Sequence, residues 1–183
     1  MDRQPILAGE RLLLRPLRED DWEALFAVAA DRQIWAVHPA HDRWQEPVFR
    51  AFFADALAQG GALAVMDKAS GAIVGSSRFQ GYDPADGGSV EIGWTFLARR
   101  LWGGGCNAEM KRLMLTHALQ WVERVDFRVG ESNAISRKAM ANIGGALSTR
   151  EDITMMAGIA HRHVIYEITR ESFARGPLAL SQG

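Results

Sequence analysis

Hydrophobic positions along this chain follow two spacings, and the change from one to the other outlines its predicted elements. Short apolar runs and alternation at every second residue are typical of strands, whereas recurrence at three and four residues is typical of helices. Turn residues at 68–71 predict a hairpin between the second and third strand-like runs. The strand pattern occurs at residues 11–15, 62–67, 72–82, 89–97, 126–130, 146–157 and 160–169.

The helical spacing predicts four helices, two before and two after the central strand runs. Acidic residues at the start of the first one are favoured there by the helix dipole. The predicted helices cover residues 18–31, 48–59, 108–121 and 133–144. Their clearest apolar stripes comprise Trp22, Leu25, Phe26 and Ala29 in the first helix and Met110, Leu113, Met114, His117 and Trp121 in the third.

Length and composition limit the classes of protein that the chain can represent. Its 183 residues fit one domain, predicted over residues 1–183 with a core at about 9–169 and a frayed tail from 175. A net charge of −1 suggests neither nucleic acid nor an anionic membrane as partner. The sequence has no secretory signal pattern and no apolar window of membrane-spanning length, so we expect a cytoplasmic protein.

The pattern of cysteine and histidine predicts no metal site. The single cysteine, Cys106, cannot form an intramolecular disulfide or a cysteine metal cluster. The histidines provide no ligand set with enough partners for zinc. Because His117 falls on an apolar helical stripe, we interpret it as a packed residue.

The segment between the strand run ending at Leu97 and the third helix carries the clearest chemical signal. It contains three consecutive glycines, Gly103, Gly104 and Gly105, and leads straight into the helix. Glycines remove the side chains that would keep an anion away from the backbone, and the first helical turn offers free N–H groups at the positive end of its dipole. The turn is therefore predicted to bind phosphate.

The glycine turn has three other interpretations. A nucleoside-triphosphatase loop is excluded because Cys106 and Asn107, rather than lysine and a hydroxyl residue, follow the last glycine. A dinucleotide fingerprint is matched by Gly103, Gly105 and Ala108, but the surrounding hairpins are unlike the repeated strand and helix units of that fold. The third interpretation is a turn that only closes a helix end.

Three segments together resemble a known family. They are VEIGWTF at 90–96, WGGGCNAEMKRLML at 102–115 and RVGESNAISRKAMANIGG at 128–145. In order and spacing they are similar to the GNAT superfamily of acetyl-coenzyme A-dependent N-acetyltransferases, in particular the branch of the ribosomal-protein N-terminal acetyltransferases. The resemblance covers roughly residues 9–169. It implies an α/β fold whose mixed, mostly antiparallel sheet of six to seven strands is flanked by helices, with acetyl-coenzyme A between two splayed strands.

The resemblance also implies which residues hold the cofactor. The preferred register of the phosphate loop runs from Trp102 to Asn107, and an alternative register runs from Arg100 to Gly105. Cys106 is expected to pack beside the cofactor, although a helix start would also stabilise a nucleophilic thiolate. The implied cofactor-binding residues are Phe96, Leu97, Trp102, Gly103, Gly104, Gly105, Cys106, Asn107, Ala108, Asn133 and Ser136.

Two of these residues begin the fourth predicted helix. By resemblance, Asn133 would hydrogen-bond the pantetheine arm, and Ser136 would lie near the cofactor sulfur as a catalytic residue. The alternative is a helix cap at Asn133 with Ser136 in the first turn. Many relatives carry a tyrosine seven residues after the asparagine that protonates the leaving thiolate, but Met140 stands there. The resemblance therefore supplies no proton donor.

Glu91 is the candidate general base. Alternation in the run 89–97 predicts Val90, Ile92, Trp94 and Phe96 on one face, which leaves Glu91 on the other. Relatives often place a glutamate on the same strand, where it takes a proton through water. The alternative is a solvent-facing or ion-paired glutamate.

The predicted function is transfer of acetyl from acetyl-coenzyme A to a primary amine, either a protein or peptide N-terminus or a small amine, by direct attack. Two alternatives stay open, a non-catalytic coenzyme A-binding regulatory module and a dinucleotide-binding oxidoreductase. A homodimer is also left open. The wall that faces the acceptor amine is predicted to contain Trp35, His38, Trp44 and Arg78.

Overall fold

The computed structural model describes residues 1–38, 40–156 and 159–179. Their helices are α1 Trp22–Ala29, α2 Glu46–Gln59, α3 Cys106–Ala118, α4 Ala134–Asn142 and α5 Arg170–Arg175. Their strands are β1 Leu7–Ala8, β2 Leu12–Pro16, β3 Ala62–Asp67, β4 Ile73–Asp83, β5 Ser89–Leu97, β6 Arg124–Gly130, β7 Ala146–Met156 and β8 Ile159–Thr169.

The eight strands of the described chain form one sheet in the order β1-β2-β3-β4-β5-β6-β8-β7. Only the pair β5 and β6 is parallel, and every other neighbouring pair is antiparallel. The predicted fold class is confirmed. The strand absent from the prediction is β1, which at two residues is too short to show a pattern. Residue 157, at the end of a predicted strand, lies outside the described residues.

The sheet separates two hydrophobic cores. In β3, Leu63 and Val65 pack with α3, whereas Ala62 and Ala64 pack with the first two helices. Successive side chains of a strand point to opposite faces, so both faces of this strand are covered. The predicted helical stripes therefore correspond to helices on both sides of the sheet.

The alternation along β5 is interrupted at Trp94. This residue has a positive φ of 55°, and the pairing register between β5 and β4 shifts nearby. Val90 and Ile92 belong to the core beneath α3, but Phe96 belongs to the core beneath α2. The prediction that these four side chains share one face is wrong, because the bulge inserts an extra residue and reverses the alternation beyond it.

The strands β5 and β6 pair only at their beginnings. The parallel pairs extend from Ser89 with Arg124 to Glu91 with Asp126, and none is present beyond them in the described chain. After Glu91 the two strands diverge, while β6 continues to pair with β8 as far as Gly130. The sheet is thereby opened into a wedge, which matches the splayed strands that the resemblance implied.

Two predictions at element ends are corrected. Helix α3 ends at Ala118, so Trp121 lies beyond it and is 56% exposed rather than part of the buried stripe. The tail predicted to fray from residue 175 instead contributes the buried Leu178 to the core after α5. Residues 180–183 of that tail lie outside the described residues.

Candidate active site

A cleft of about 380 Å³ occupies the wedge between β5 and β6. Its walls come from β5, the glycine turn, α3, β6 and α4, together with residues 34–38 after α1 and His163 of β8. The predicted site residues that line it are Trp35, His38, Phe96, Leu97, Trp102, Gly103, Asn107, Asn133 and Ser136. Those that do not line it are Arg78, Trp44, Glu91, Gly104, Gly105, Cys106 and Ala108.

The glycine turn presents open backbone at the cleft. Gly103 and Gly105 have φ values of 72° and 83°, and a Cβ added at either would meet no atom within 4 Å. None of the amides of residues 103–108 donates to a carbonyl in the described turns, loops and caps. Free amides at a helix start, with empty space above them, fit a phosphate group.

Two side chains that sequence reasoning missed hold this turn against β2. The guanidinium of Arg11 donates to the carbonyl of Gly104. In return, Glu109 Oε1 accepts from the backbone N–H groups of Arg11 at 2.9 Å and of Leu12 at 3.1 Å. These contacts fix the backbone of the three glycines, which have no side chains of their own with which to pack.

The start of α4 forms another wall of the cleft. The side chain of Asn133 accepts from the backbone N–H of Ser136 at 3.0 Å, which is the helix cap proposed as the alternative. Both residues nevertheless line the cleft, as does the buried Met140. The cap therefore holds the polar end of the helix at the cleft and leaves a role toward a ligand open.

Lys111 is the main site residue that the sequence did not reveal. It lines the cleft at 2% exposure, and its Nζ donates to Thr95 Oγ1 at 2.7 Å. Burial lowers its pKa to about 7. A lysine inside a helix is normally interpreted as a surface residue. The only signal was its position three to four residues before Met114 and Leu115, which places it on a wide apolar face.

The buried amine predicts an unusual dependence of stability on pH. The pKa of Lys111 falls from 10.5 in the unfolded chain to about 7 in the folded protein, so between these values the unfolded chain binds more protons. Stability should rise across this range by up to about 1.4 kcal/mol per pH unit. We expect Lys111→Met to be more stable than the wild type at pH 7, with the difference shrinking as pH rises. Urea unfolding of both proteins measures this, and a difference independent of pH would contradict it.

On the acceptor side, Trp35 and His38 are the predicted residues that reach the cleft. Their rings meet edge to face at 5.7 Å, and the Trp35 ring lies 5.2 Å from that of Phe96. Burial lowers the pKa of His38 to about 3. His38 Nδ1 accepts from the N–H of Ala40 at 2.9 Å, so the imidazole is neutral and has its proton on Nε2.

The other two predicted acceptor residues lie outside the cleft lining. Arg78 is 3% exposed, pairs with Asp55 at 2.8 Å and lies 5.2 Å from the Trp94 ring. Trp44 stacks instead under Arg32, at 5.5 Å. Neither residue is part of the described cleft lining, because the Arg78 guanidinium is held by Asp55 and the Trp94 ring, and the Trp44 ring packs under Arg32.

Glu91 is ion-paired beside the cleft. Its Oε2 lies 3.0 Å from Arg128, which lines the cleft and also binds Asp152 at 2.8 Å. The ion-pair interpretation of Glu91 is therefore the one observed. Its other oxygen, Oε1, lies against Gly93, where an added Cβ would approach it to 2.9 Å. Because Gly93 lines the cleft, the Oε1 atom of Glu91 lies next to a residue of the cleft wall.

The charged and titratable side chains that line the described part of the cleft are all basic. In the part of the chain that the structure describes, that lining consists of His38, Lys111, Arg128 and His163 and contains no carboxylate. Burial is the largest influence on the pKa of His163 and lowers it, and nearby Arg128 lowers it further. The described lining therefore contains no negative charge that would repel an anionic ligand.

Neither a metal site nor a membrane-spanning helix is found in the described ranges. No group of three or more His, Cys, Asp or Glu side chains there could hold a metal ion. No helix there has the length and apolar character needed to cross a bilayer.

Comparison with known proteins identifies the family. Residues 11–146 match the model of the acetyltransferase (GNAT) domain. The chain belongs to the GNAT acetyltransferase family. No curated protein matches its sequence.

Solved structures of GNAT proteins share its fold. A GCN5-related N-acetyltransferase from Brucella melitensis has 20% identity and a TM-score of 0.79, covering 93% of this chain and 80% of that one. A probable GNAT acetyltransferase from Chromobacterium violaceum has 22% identity and a TM-score of 0.80, covering 92% and 87%. RimJ of Mycobacterium smegmatis, in complex with CoA-disulfide, has 19% identity and a TM-score of 0.70, covering 92% and 86%.

Proposed function

We propose that this GNAT protein transfers an acetyl group from acetyl-coenzyme A to a primary amine, either a protein or peptide N-terminus or a small amine, by direct attack. The observation that carries the proposal is the glycine turn, whose free amides open onto a wedge between two strands. The structure of RimJ with CoA-disulfide supports this choice of ligand. The absence of carboxylates from the described cleft lining agrees with an anionic ligand.

The residues present fit coenzyme A in three places. The open amides from Gly103 to Ala108 would hold the pyrophosphate, and either register of the loop uses this turn. The backbone of Phe96 and Leu97 lies where β5 has no partner in β6, so its polar groups would bind the pantetheine amides. Asn133 and Ser136 border the same space. When bound, acetyl-coenzyme A supplies the thioester whose acetyl group is transferred.

The chain itself supplies alignment, an apolar enclosure and movement of protons. Trp35 and Phe96 would exclude water around the acceptor nitrogen. We propose Glu91 as the base, with its Oε1 taking a proton through water near Gly93. Cys106 is 1% exposed within the core beneath α3, and no acyl-enzyme on its sulfur is proposed.

The acceptor should be an amine that loses its proton easily. Deprotonating a lysine side chain at pH 7 requires about 4.6 kcal/mol, whereas an α-amino group requires only about 1 kcal/mol. The one candidate base is already ion-paired with Arg128, so help with deprotonation is modest. In an equimolar mixture, a peptide with a free N-terminus should be acetylated faster than its N-blocked, lysine-containing counterpart. Mass spectrometry at neutral pH measures the two products.

The same assay distinguishes the alternative functions. Faster acetylation of the lysine peptide would overturn the acceptor assignment and leave the acetyltransferase assignment in place. Coenzyme A binding without turnover of any amine would favour a regulatory module. Calorimetric binding of NAD, with none of coenzyme A, would favour a dinucleotide-dependent enzyme and sink the proposal as a whole.

A further inference from the structure

The amino group of Lys111 reaches the cleft without a counter-ion. The helix α3 carries it against β5, where it donates to the neutral hydroxyl of Thr95 at 2.7 Å. Its Nζ also lies 5.3 Å from the ring centre of Phe127. Burial lowers the pKa of this amine, and no carboxylate of the described residues opposes that effect.

Packing alone does not explain a lysine at this position. The hydroxyl of Thr95 is also hydrogen-bonded to the hydroxyl of Ser77 at 2.8 Å, and both hydroxyls lie 3.5 Å from the carbonyl of Gly93. This short polar chain contains no anion. An unpaired buried ammonium is destabilising, and apolar side chains of similar volume often pack as well or better. The amine is therefore better explained by chemistry inside the cleft than by the stability of the fold.

The other ionisable groups of the described lining are less suited than Lys111 to donate a proton near pH 7. Arg128 stays protonated and is engaged by Glu91 and Asp152. Burial lowers the pKa of His38 to about 3, so its imidazole is neutral, and burial also lowers the pKa of His163, which favours the neutral imidazole there. Lys111, with a pKa of about 7, is able to give up a proton and regain it at that pH.

We propose that Lys111 is the proton donor of the cleft and protonates the sulfur that leaves when the thioester is broken. This inference rests on the proposed acetyl transfer. The acceptor nitrogen forms a bond to the carbonyl carbon, the carbon–sulfur bond breaks, and its electron pair goes to sulfur, which takes a proton from the Lys111 ammonium. The acceptor nitrogen gives up one proton through water to Glu91, which releases it to solvent, and the neutral Lys111 regains one proton from solvent, so protons balance.

A direct test is the pKa of the thiol of bound coenzyme A, read from the ultraviolet absorbance of its thiolate. An ammonium beside the sulfur stabilises the thiolate, so the thiol pKa should be lower by about one unit or more on the wild type than on Lys111→Met. Lys111→Arg keeps the positive charge and should also keep the thiol pKa low. An exposed lysine of α4 provides the matched control, Lys138→Met, which should leave the thiol pKa unchanged.

Turnover separates the roles of charge and proton. Both Lys111→Met and Lys111→Arg should lower kcat by roughly a hundredfold to ten-thousandfold, because neither residue can donate a proton near pH 7. Their affinity for coenzyme A, and the kcat of Lys138→Met, should stay near the wild-type values.

Three results would overturn the inference. They are an equal thiol pKa on the wild type and Lys111→Met, a kcat within threefold of wild type in both variants, or stoichiometric acetylation of Lys111 itself. The first two leave acetyl transfer standing when the wild type binds coenzyme A and turns it over. Failure of the wild type to bind coenzyme A would overturn the proposed function as well.

Discussion

Replacing Gly103 or Gly105 by valine is expected to abolish tight binding of coenzyme A while the protein stays folded. Both residues have positive φ, and a Cβ at either meets no protein atom within 4 Å, so the new side chain would project into the open space of the turn. That space is where a phosphate would approach the free amides. We expect affinity to fall by at least about a hundredfold, or roughly 2.7 kcal/mol, as measured by titration calorimetry.

The chain offers a matched control for backbone strain. Gly71 lies in the turn between β3 and β4, has a φ of 71° and likewise has no atom within 4 Å of an added Cβ. Gly71→Val should therefore lose about as much thermal stability as the two loop variants, on the order of 1 to 2 kcal/mol. Its affinity for coenzyme A should be unchanged. If all three variants bound coenzyme A with the affinity of the wild type, the glycine turn would have only a structural role, and the main support for the proposed cofactor would be lost.

The sheet and the glycine turn could be predicted because local sequence determines both. Two short strand-like runs separated by turn residues specify the hairpin of β3 and β4 without reference to the rest of the chain. Likewise, three glycines before a helical stripe require only that the helix begins there, which it does at Cys106. The cap at Asn133 belongs to the same class, since an asparagine before a helical segment can bond the backbone three residues on.

The parts that were missed depend on tertiary structure. The bulge at Trp94 is set by how β5 pairs with β4, and no strand propensity of the sequence marks it. It reverses the alternation and sends Phe96 to the core beneath α2. The burial of Lys111 depends on α3 lying flat across β5, which places an amine against Thr95 instead of solvent. A helix packed broadly on a sheet buries more than the stripe seen in its sequence.

The residues predicted to face the acceptor amine show the same difference between local sequence and tertiary packing. Trp35 and His38 reach the cleft because the turn after α1 carries them to Phe96. Arg78 had the expected strand position, but its guanidinium turns toward Asp55, and its Nε and Nη2 atoms have no hydrogen-bond partner in the described residues. Sequence reasoning could place these residues on elements, whereas the side that each faces was decided by packing.

Glu91→Gln is expected to lower turnover by roughly a hundredfold and leave coenzyme A affinity nearly intact. The amide keeps the size of the carboxylate and a hydrogen-bond acceptor for Arg128, and Arg128 also retains Asp152, so the cleft wall should persist. What disappears is the basicity of Oε1, the oxygen that lies against Gly93 at the edge of the cleft. Steady-state kinetics at neutral pH measure the loss.

A second strand carboxylate tests whether loss of an ion pair alone could lower turnover. Glu167 on β8 pairs with Arg150 at 2.9 Å and is not part of the described cleft lining, so Glu167→Gln makes the same chemical change outside that lining. Its kcat should equal that of the wild type. If Glu91→Gln loses less than threefold, Glu91 serves only to hold Arg128, and the proton of the acceptor must leave by another route. In that case His163, whose Nδ1 is buried at the cleft without a partner in the described residues, becomes the base to substitute next.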